Sequence, residues 1–345
     1  MQEFLTPTCY FPSTVLFIDD GHDFLLNFVL HLDEGLAYRL FDEPQAALEH
    51  IHNKRCELER GSSPSWSGYT QAKQCPLTHQ TMNPALAAMH IEIYNRYRFS
   101  EISVVVVDGA MPLMDGLAFC SRIENTNIKK ILLINVSDEK LAVMARQEGL
   151  IDRYIKKTDS NAAEQIRQAI DELQLQYFKI MSGMICRLLA LVPPNCLHDK
   201  VFSEFFLKFR EEHGITEYYL VDTSGSFLLL DEDANISFLI VKNEADIQLY
   251  RELAEKRGIC GEVLKEINQG EKIPGFWETS AAIQPLNNGL EHFVSASRIV
   301  ADQIYYYAHL NGNALFDVRQ QKILSYHRYL EELDAEMFIS SFSTL

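Results

Sequence analysis

Five residues of this chain could do chemistry together if folding brings them close. Asp19 and Asp20 end the apolar run Val15-Leu16-Phe17-Ile18, Asp108 ends the run Val104–Val107, and Lys156 and Lys157 follow the run Ile151–Ile155. Each run reads as a buried strand. In a parallel α/β sheet, ligands bind beyond the C-terminal ends of the strands. Three carboxylates crowded at one such rim are costly unless a cation neutralises them. Hard oxygen donors with open water positions suit Mg²⁺. A carboxylate, a divalent ion and a lysine together suit a transferable phosphoryl group, because metal and ammonium offset the charge on its oxygens.

The elements that must position these residues alternate along the first half of the chain. Strand Val15–Ile18 is followed by a helix over 22–32, strand Tyr38–Phe41 and a helix opened by Pro44. Residues 53–100 break the rhythm with a loop-like Gly61–Gly68 stretch, Pro76, Pro84 and a helical pattern over 85–97. Successive βα elements are normally joined within a few residues, so this stretch reads as an insertion. Val104–Val107 is β-branched and apolar on both faces, which suits the centre of a parallel sheet covered by helices on both sides. A loop over 109–116, a helix at 117–124, strand Ile131–Ile134, a helix at 138–148 and strand Ile151–Ile155 complete the series. The alternation predicts a doubly wound, five-stranded parallel α/β domain over 1–158.

Three motifs carry a family resemblance: Ile18-Asp19-Asp20, the stretch Asp108-Gly109-Ala110-Met111-Pro112-Leu113-Met114-Asp115-Gly116, and Tyr154-Ile155-Lys156-Lys157. Together they resemble the receiver domain of two-component response regulators, a flavodoxin- or CheY-like fold, over about 14–158 apart from the insertion. The resemblance implies that Asp108 is the phosphoacceptor, attacking a phosphohistidine of a sensor histidine kinase. It implies a magnesium site made by Asp19, Asp20, Asp108 and the carbonyl of Ala110. Lys157 matches the phosphate-binding lysine, with Lys156 the alternate, and Tyr154 matches the aromatic that reports phosphorylation to the surface. One position departs from the pattern: Ile134 stands where a Thr or Ser hydroxyl would bond the phosphoryl oxygen, and Ser137 is the nearest substitute. Ala110 and Val136 offer no polar side chain to orient an attacking water, which predicts slow self-dephosphorylation.

From Asn161 to Leu191 the residues Ile166, Ile170, Leu173, Tyr177, Ile180 and Met184 keep heptad spacing, and Pro193-Pro194 ends the helix. This linker, 159–195, either buries one face on its own domain or pairs with a second copy to make a homodimer. Residues 196–345 read as short strands (217–222, 226–231, 237–242), two helices (244–257, 260–268), a hairpin (292–299, 303–309) and a last helix over 314–337. That grouping predicts an α+β output domain with a mostly antiparallel sheet. Its Tyr- and Phe-rich strands and lack of a catalytic motif favour a protein partner over an enzyme. The insertion plus this module is similar to a quorum-sensing type of response regulator.

Composition narrows the remaining classes. The 345 residues suggest two or three domains, and 31 Lys+Arg against 48 Asp+Glu give a formal charge of -17. Residues 178–345 alone carry 15 basic and 24 acidic residues, so no basic output domain hides behind an acidic one. This opposes nucleic-acid binding, although a DNA-binding or catalytic output domain is the alternative reading. The seven cysteines include no C-x-x-C, and no signal peptide or membrane span is visible, so a reduced, cytoplasmic protein is expected. His50, His52, Cys56, Cys75 and His79 could be drawn as a zinc site, but their spacing is not a standard one. His327 reads as an exposed helix residue.

Overall fold

The computed structural model describes residues 3–21, 25, 28, 34–59, 86, 91–256, 262–275, 293–312 and 318–342. These fall into two compact units. One comprises Pro12–Gly68, Tyr97–Ile180 and Tyr329–Leu345, and the other Met1–Phe11, Tyr69–Arg96 and Met181–Arg328. The division cuts across the boundaries at 158 and 195 expected from sequence. Zinc candidates Cys75 and His79, and the side chain of Cys56, lie outside the described residues.

Strand β1 (Cys9–Tyr10) precedes the α/β unit, whose strands are β2 (Thr14–Ile18), β3 (Tyr38–Phe41), β4 (Ile102–Asp108), β5 (Lys129–Ile134) and β6 (Arg153–Lys156). All pair in parallel, in the order β3-β2-β4-β5-β6. The four valines do what a doubly covered strand requires. Val104 and Val106 join one buried cluster with Phe17, Leu133 and Ile155, while Val105 and Val107 join another with Leu132, Phe119 and Ala142. Period-two alternation thus feeds two apolar layers from one continuous run.

The long helix spans Ala162–Leu188, and the first part of its heptad seam is buried. Ile166, Ile170 and Leu173 pack into the cluster on the Val104 face, and Tyr177 is 1% exposed, with its hydroxyl bonded to Glu101. The α/β core occupies the apolar stripe over 166–177, and Ile180, the next seam position, is 39% exposed.

The second unit carries a six-stranded, wholly antiparallel sheet in the order β1-β7-β8-β9-β13-β12. Its strands after β1 are β7 (Ile215–Leu220), β8 (Phe227–Asp231), β9 (Ile236–Asn243), β12 (Ser297–Val300) and β13 (Ile304–Asn311). β10 (Lys272–Pro274) and β11 (Phe293–Ser295) form a separate antiparallel pair. The helix Lys200–Glu212, which the sequence reading did not anticipate, buries Phe202, Phe206 and Phe209. Its cap is Asp199, whose carboxylate accepts from the amides of Val201 and Phe202. The last helix spans Tyr326–Phe342, starting later than the expected 314 and running further.

A buried ion pair ties the β7–β8 turn to β9. Lys242 Nζ lies 2.9 Å from Asp222 Oδ2, with side chains 1% and 5% exposed. Asp222 also accepts from the amides of Ser224, Gly225 and Ser226 and from the Ser226 hydroxyl. Burial pushes its carboxyl pKa up, but Lys242 and the Ser226 bonds outweigh that and hold it below the usual carboxylate range. A depressed folded-state pKa contributes stability above the unfolded value, and that stability is lost as pH falls through the folded one. Asp222→Asn should therefore cost about 3–5 kcal/mol at neutral pH, since Lys242 is left buried without its partner. In urea titrations across pH, the wild type should weaken below about pH 4 and the variant should lose that acid-dependent component. Equal acid limbs in both proteins would refute the assignment.

Candidate functional site

Register places the acidic residues. Ile18 pairs with Val107 across β2 and β4, so Asp19 and Asp108 leave adjacent parallel strands at the same rim. β2 also pairs with β3 on its other side, making this the point where strand order reverses and open α/β sheets bind ligands. One carboxylate oxygen from each of Asp19, Asp20 and Asp108 lies within 4.8 Å of the others. Asp19 and Asp108 are buried and Asp20 is exposed, so the cluster faces solvent on one side.

Lys157 is the counter-charge. Its Nζ lies 2.5 Å from Asp19 Oδ2 and 3.1 Å from Asp108 Oδ1. The backbone fixes it there, because the Lys157 amide donates to the carbonyl of Ile134 just beyond the paired ends of β5 and β6. Lys156, the alternate, instead pairs with Glu139 at 2.9 Å. Burial raises the Asp19 pKa above its ordinary value, and the Lys157 bond and the Gly21 amide at 2.8 Å only partly counter it, with Asp108 adding to the rise. The site is therefore under-neutralised by the chain alone. Three hard oxygen donors at a solvent-open rim fit a magnesium ion.

The loop after Asp108 is closed by its own backbone. The Gly109 amide donates to the Leu133 carbonyl at 2.7 Å, and the Gly116 amide donates to the Gly109 carbonyl at 3.2 Å. Asp115, part of the matched motif, has a defined job: its carboxylate accepts from the Ala118 amide at 2.7 Å and caps the helix Gly116–Arg122. Asp-Gly at that point could have been read from sequence as a cap followed by a close contact. Ala110 is exposed in the same loop.

The switch positions separate. Ile134 is 1% exposed and packs into the core, so no hydroxyl stands at the end of β5. Ser137 is exposed, and its hydroxyl bonds Asp138 at 3.0 Å rather than standing in for the missing one. Tyr154 is half-buried against the same core cluster.

The Legionella pneumophila response regulator LqsR is 56% identical to this chain, the match covering 97% of this chain and 98% of LqsR at a TM-score of 0.85. The chain belongs to the LqsR family of response regulators. Two shorter structures match about half of this response regulator. One is a receiver domain protein from Clostridium thermocellum, with 18% identity, 49% of this chain, 98% of its own and a TM-score of 0.32. The other is a CheY-like receiver domain protein from Methanospirillum hungatei JF-1, with 14% identity, 49%, 98% and 0.31. No family model and no curated protein matches the chain. Among the described residues, no helix is long and apolar enough to cross a membrane.

Gly116 gives the site a sharp test. A Cβ there would sit 2.4 Å from the Asp108 carbonyl oxygen and 2.6 Å from Leu132 Cδ1. Gly116→Ala should push the Asp108 backbone aside and cost about 1–3 kcal/mol, read as a lower unfolding midpoint. An unchanged midpoint would show that the loop gives way freely.

Proposed function

We propose that this response regulator accepts a phosphoryl group on Asp108 from the phosphohistidine of a sensor histidine kinase. The observation that carries the reading is Lys157 bridging Asp19 and Asp108 beside the exposed Asp20. An Asp108 carboxylate oxygen attacks phosphorus. The O–P bond forms, the N–P bond breaks, and the departing imidazole keeps the electron pair and takes a proton. Asp19, Asp20, Asp108 and the Ala110 carbonyl would hold Mg²⁺, which when bound supplies positive charge to the transferring oxygens. Asp108 places the nucleophile, and Lys157 meets the charge delivered to it.

The second unit is proposed to signal to a protein partner. The balance of residues 181–328, 14 basic against 20 acidic, supports this over nucleic acid. Self-association is proposed through the helix Glu139–Gln147, where Leu141 and Met144 are 60% and 56% exposed one turn apart. A role in cell-density signalling is proposed from the resemblance that the insertion and the C-terminal module carry.

Incubation with Mg²⁺ and acetyl phosphate should add one phosphoryl mass to the wild type and none to Asp108→Asn. No gain on the wild type, or equal gain on the variant, would overturn the acceptor assignment. The phosphorylated protein should lose its phosphate slowly, since Ala110 and Val136 offer no polar side chain to orient an attacking water; decay within seconds in Mg²⁺ would contradict this. Ile134→Thr should restore a hydrogen bond to the phosphoryl group and favour the phosphorylated form by about 1.5–3 kcal/mol, measured as the phosphorylated fraction at equal donor.

A further inference from the structure

The last helix belongs to the second unit as far as Arg328, and from Tyr329 onward it belongs to the α/β unit. Tyr329 and Leu333 are 7% and 4% exposed. The Tyr329 ring lies 5.3 Å from that of Phe99, tilted by 42°. Its hydroxyl is 3.0 Å from Thr14 Oγ1. Thr14 donates its own proton to the Phe99 carbonyl at 2.7 Å, so Tyr329 is the donor between the two hydroxyls. Further along, Glu336 pairs with Arg39 at 2.6 Å, and Asp334 lies close enough to act on Tyr38 electrostatically.

These contacts have a common address. Thr14 opens β2, Tyr38 opens β3, and Phe99 lies just ahead of β4. Asp19 and Asp108 stand at the opposite ends of β2 and β4. The β2–β4 register is irregular at Thr14, where pairing shifts from Ile102 to Val104. The helix therefore grips the one irregular place in the ladder between the two strands that carry the site, about 17 Å of strand away from it. The end of β5 offers no hydroxyl by which a phosphoryl group could pull on the sheet, because it carries Ile134. β2 has a site carboxylate beyond one end and a polar contact with the helix, through Thr14, at the other, and the segment ahead of β4 meets the helix through the Phe99 ring.

We infer that residues 329–342 are a regulatory partner of the receiver built into the same chain, docked at the pole opposite Asp108, and that their docking and the phosphorylation of Asp108 influence each other. The inference rests on the acceptor reading above. Coupling of two binding events is reciprocal. Phosphorylation therefore alters how firmly the helix is held, and weakening the helix alters how readily Asp108 is phosphorylated.

The test uses the full chain with Mg²⁺ and acetyl phosphate, following intact mass and hydrogen exchange together. Phosphorylation should change exchange in peptides covering 12–18 and 329–342, and Asp108→Asn should show no such change. Tyr329→Phe, which keeps the ring and loses the donor, should shift the extent of phosphorylation roughly two- to fivefold at equal donor. A phosphoryl mass gain with unchanged exchange in both segments and unchanged phosphorylation of Tyr329→Phe would overturn the inference while leaving the acceptor reading intact. Absence of any mass gain on the wild type would overturn both.

Discussion

Two carboxylates on neighbouring parallel strands, buried within reach of one ammonium, are the constraint on which the α/β unit depends. Asp19 and Asp108 face each other because β2 and β4 are adjacent in register, and each is kept from solvent by the layers that cover the sheet. Left alone, such a pair would repel and resist ionisation. Lys157 makes the arrangement tolerable without relieving it fully, as the raised Asp19 pKa shows. Three carboxylates set against one ammonium leave the site short of positive charge, which a metal ion would supply.

Much of this was legible in the sequence because it depends on local rules. The valine run declared a doubly covered strand, the acids at strand ends declared the rim, and the alternation of elements declared the parallel order. The motif offered two lysines: Lys157 Nζ reaches Asp19 and Asp108, while Lys156, paired with Ile134 in the ladder, is drawn away by Glu139. The role of Ser137 could not be read, since a loop hydroxyl bonds whatever lies nearest, here the adjacent Asp138.

What the sequence left open or did not show concerns segments whose partners are distant in sequence. Heptad spacing over 166–177 looks the same whether the stripe meets a second helix or the sheet of its own unit, and only tertiary packing decides. The helix Lys200–Glu212 carried its signal in the Asp199 cap and the Phe202, Phe206 and Phe209 spacing, but the aromatic residues suited strands equally well. Strand β1 is two residues long, too short for any periodicity, and exists because Cys9 and Tyr10 meet Tyr219 and Tyr218.

That two-residue strand has a consequence for how the protein is made. Cys9 must wait for Tyr219, so β1 cannot take its place in the six-stranded sheet until Tyr219 has been made. Strands β2 to β6 are synthesised in the interval, and the helix that begins at Tyr326 follows the six-stranded sheet. Each unit thus encloses part of the other's sequence, and neither can be excised as one continuous piece without losing an element. Pairings of such long range slow folding. The two units are bound into a single gene product by the order of synthesis as well as by the peptide chain, which disfavours their exchange as separate modules.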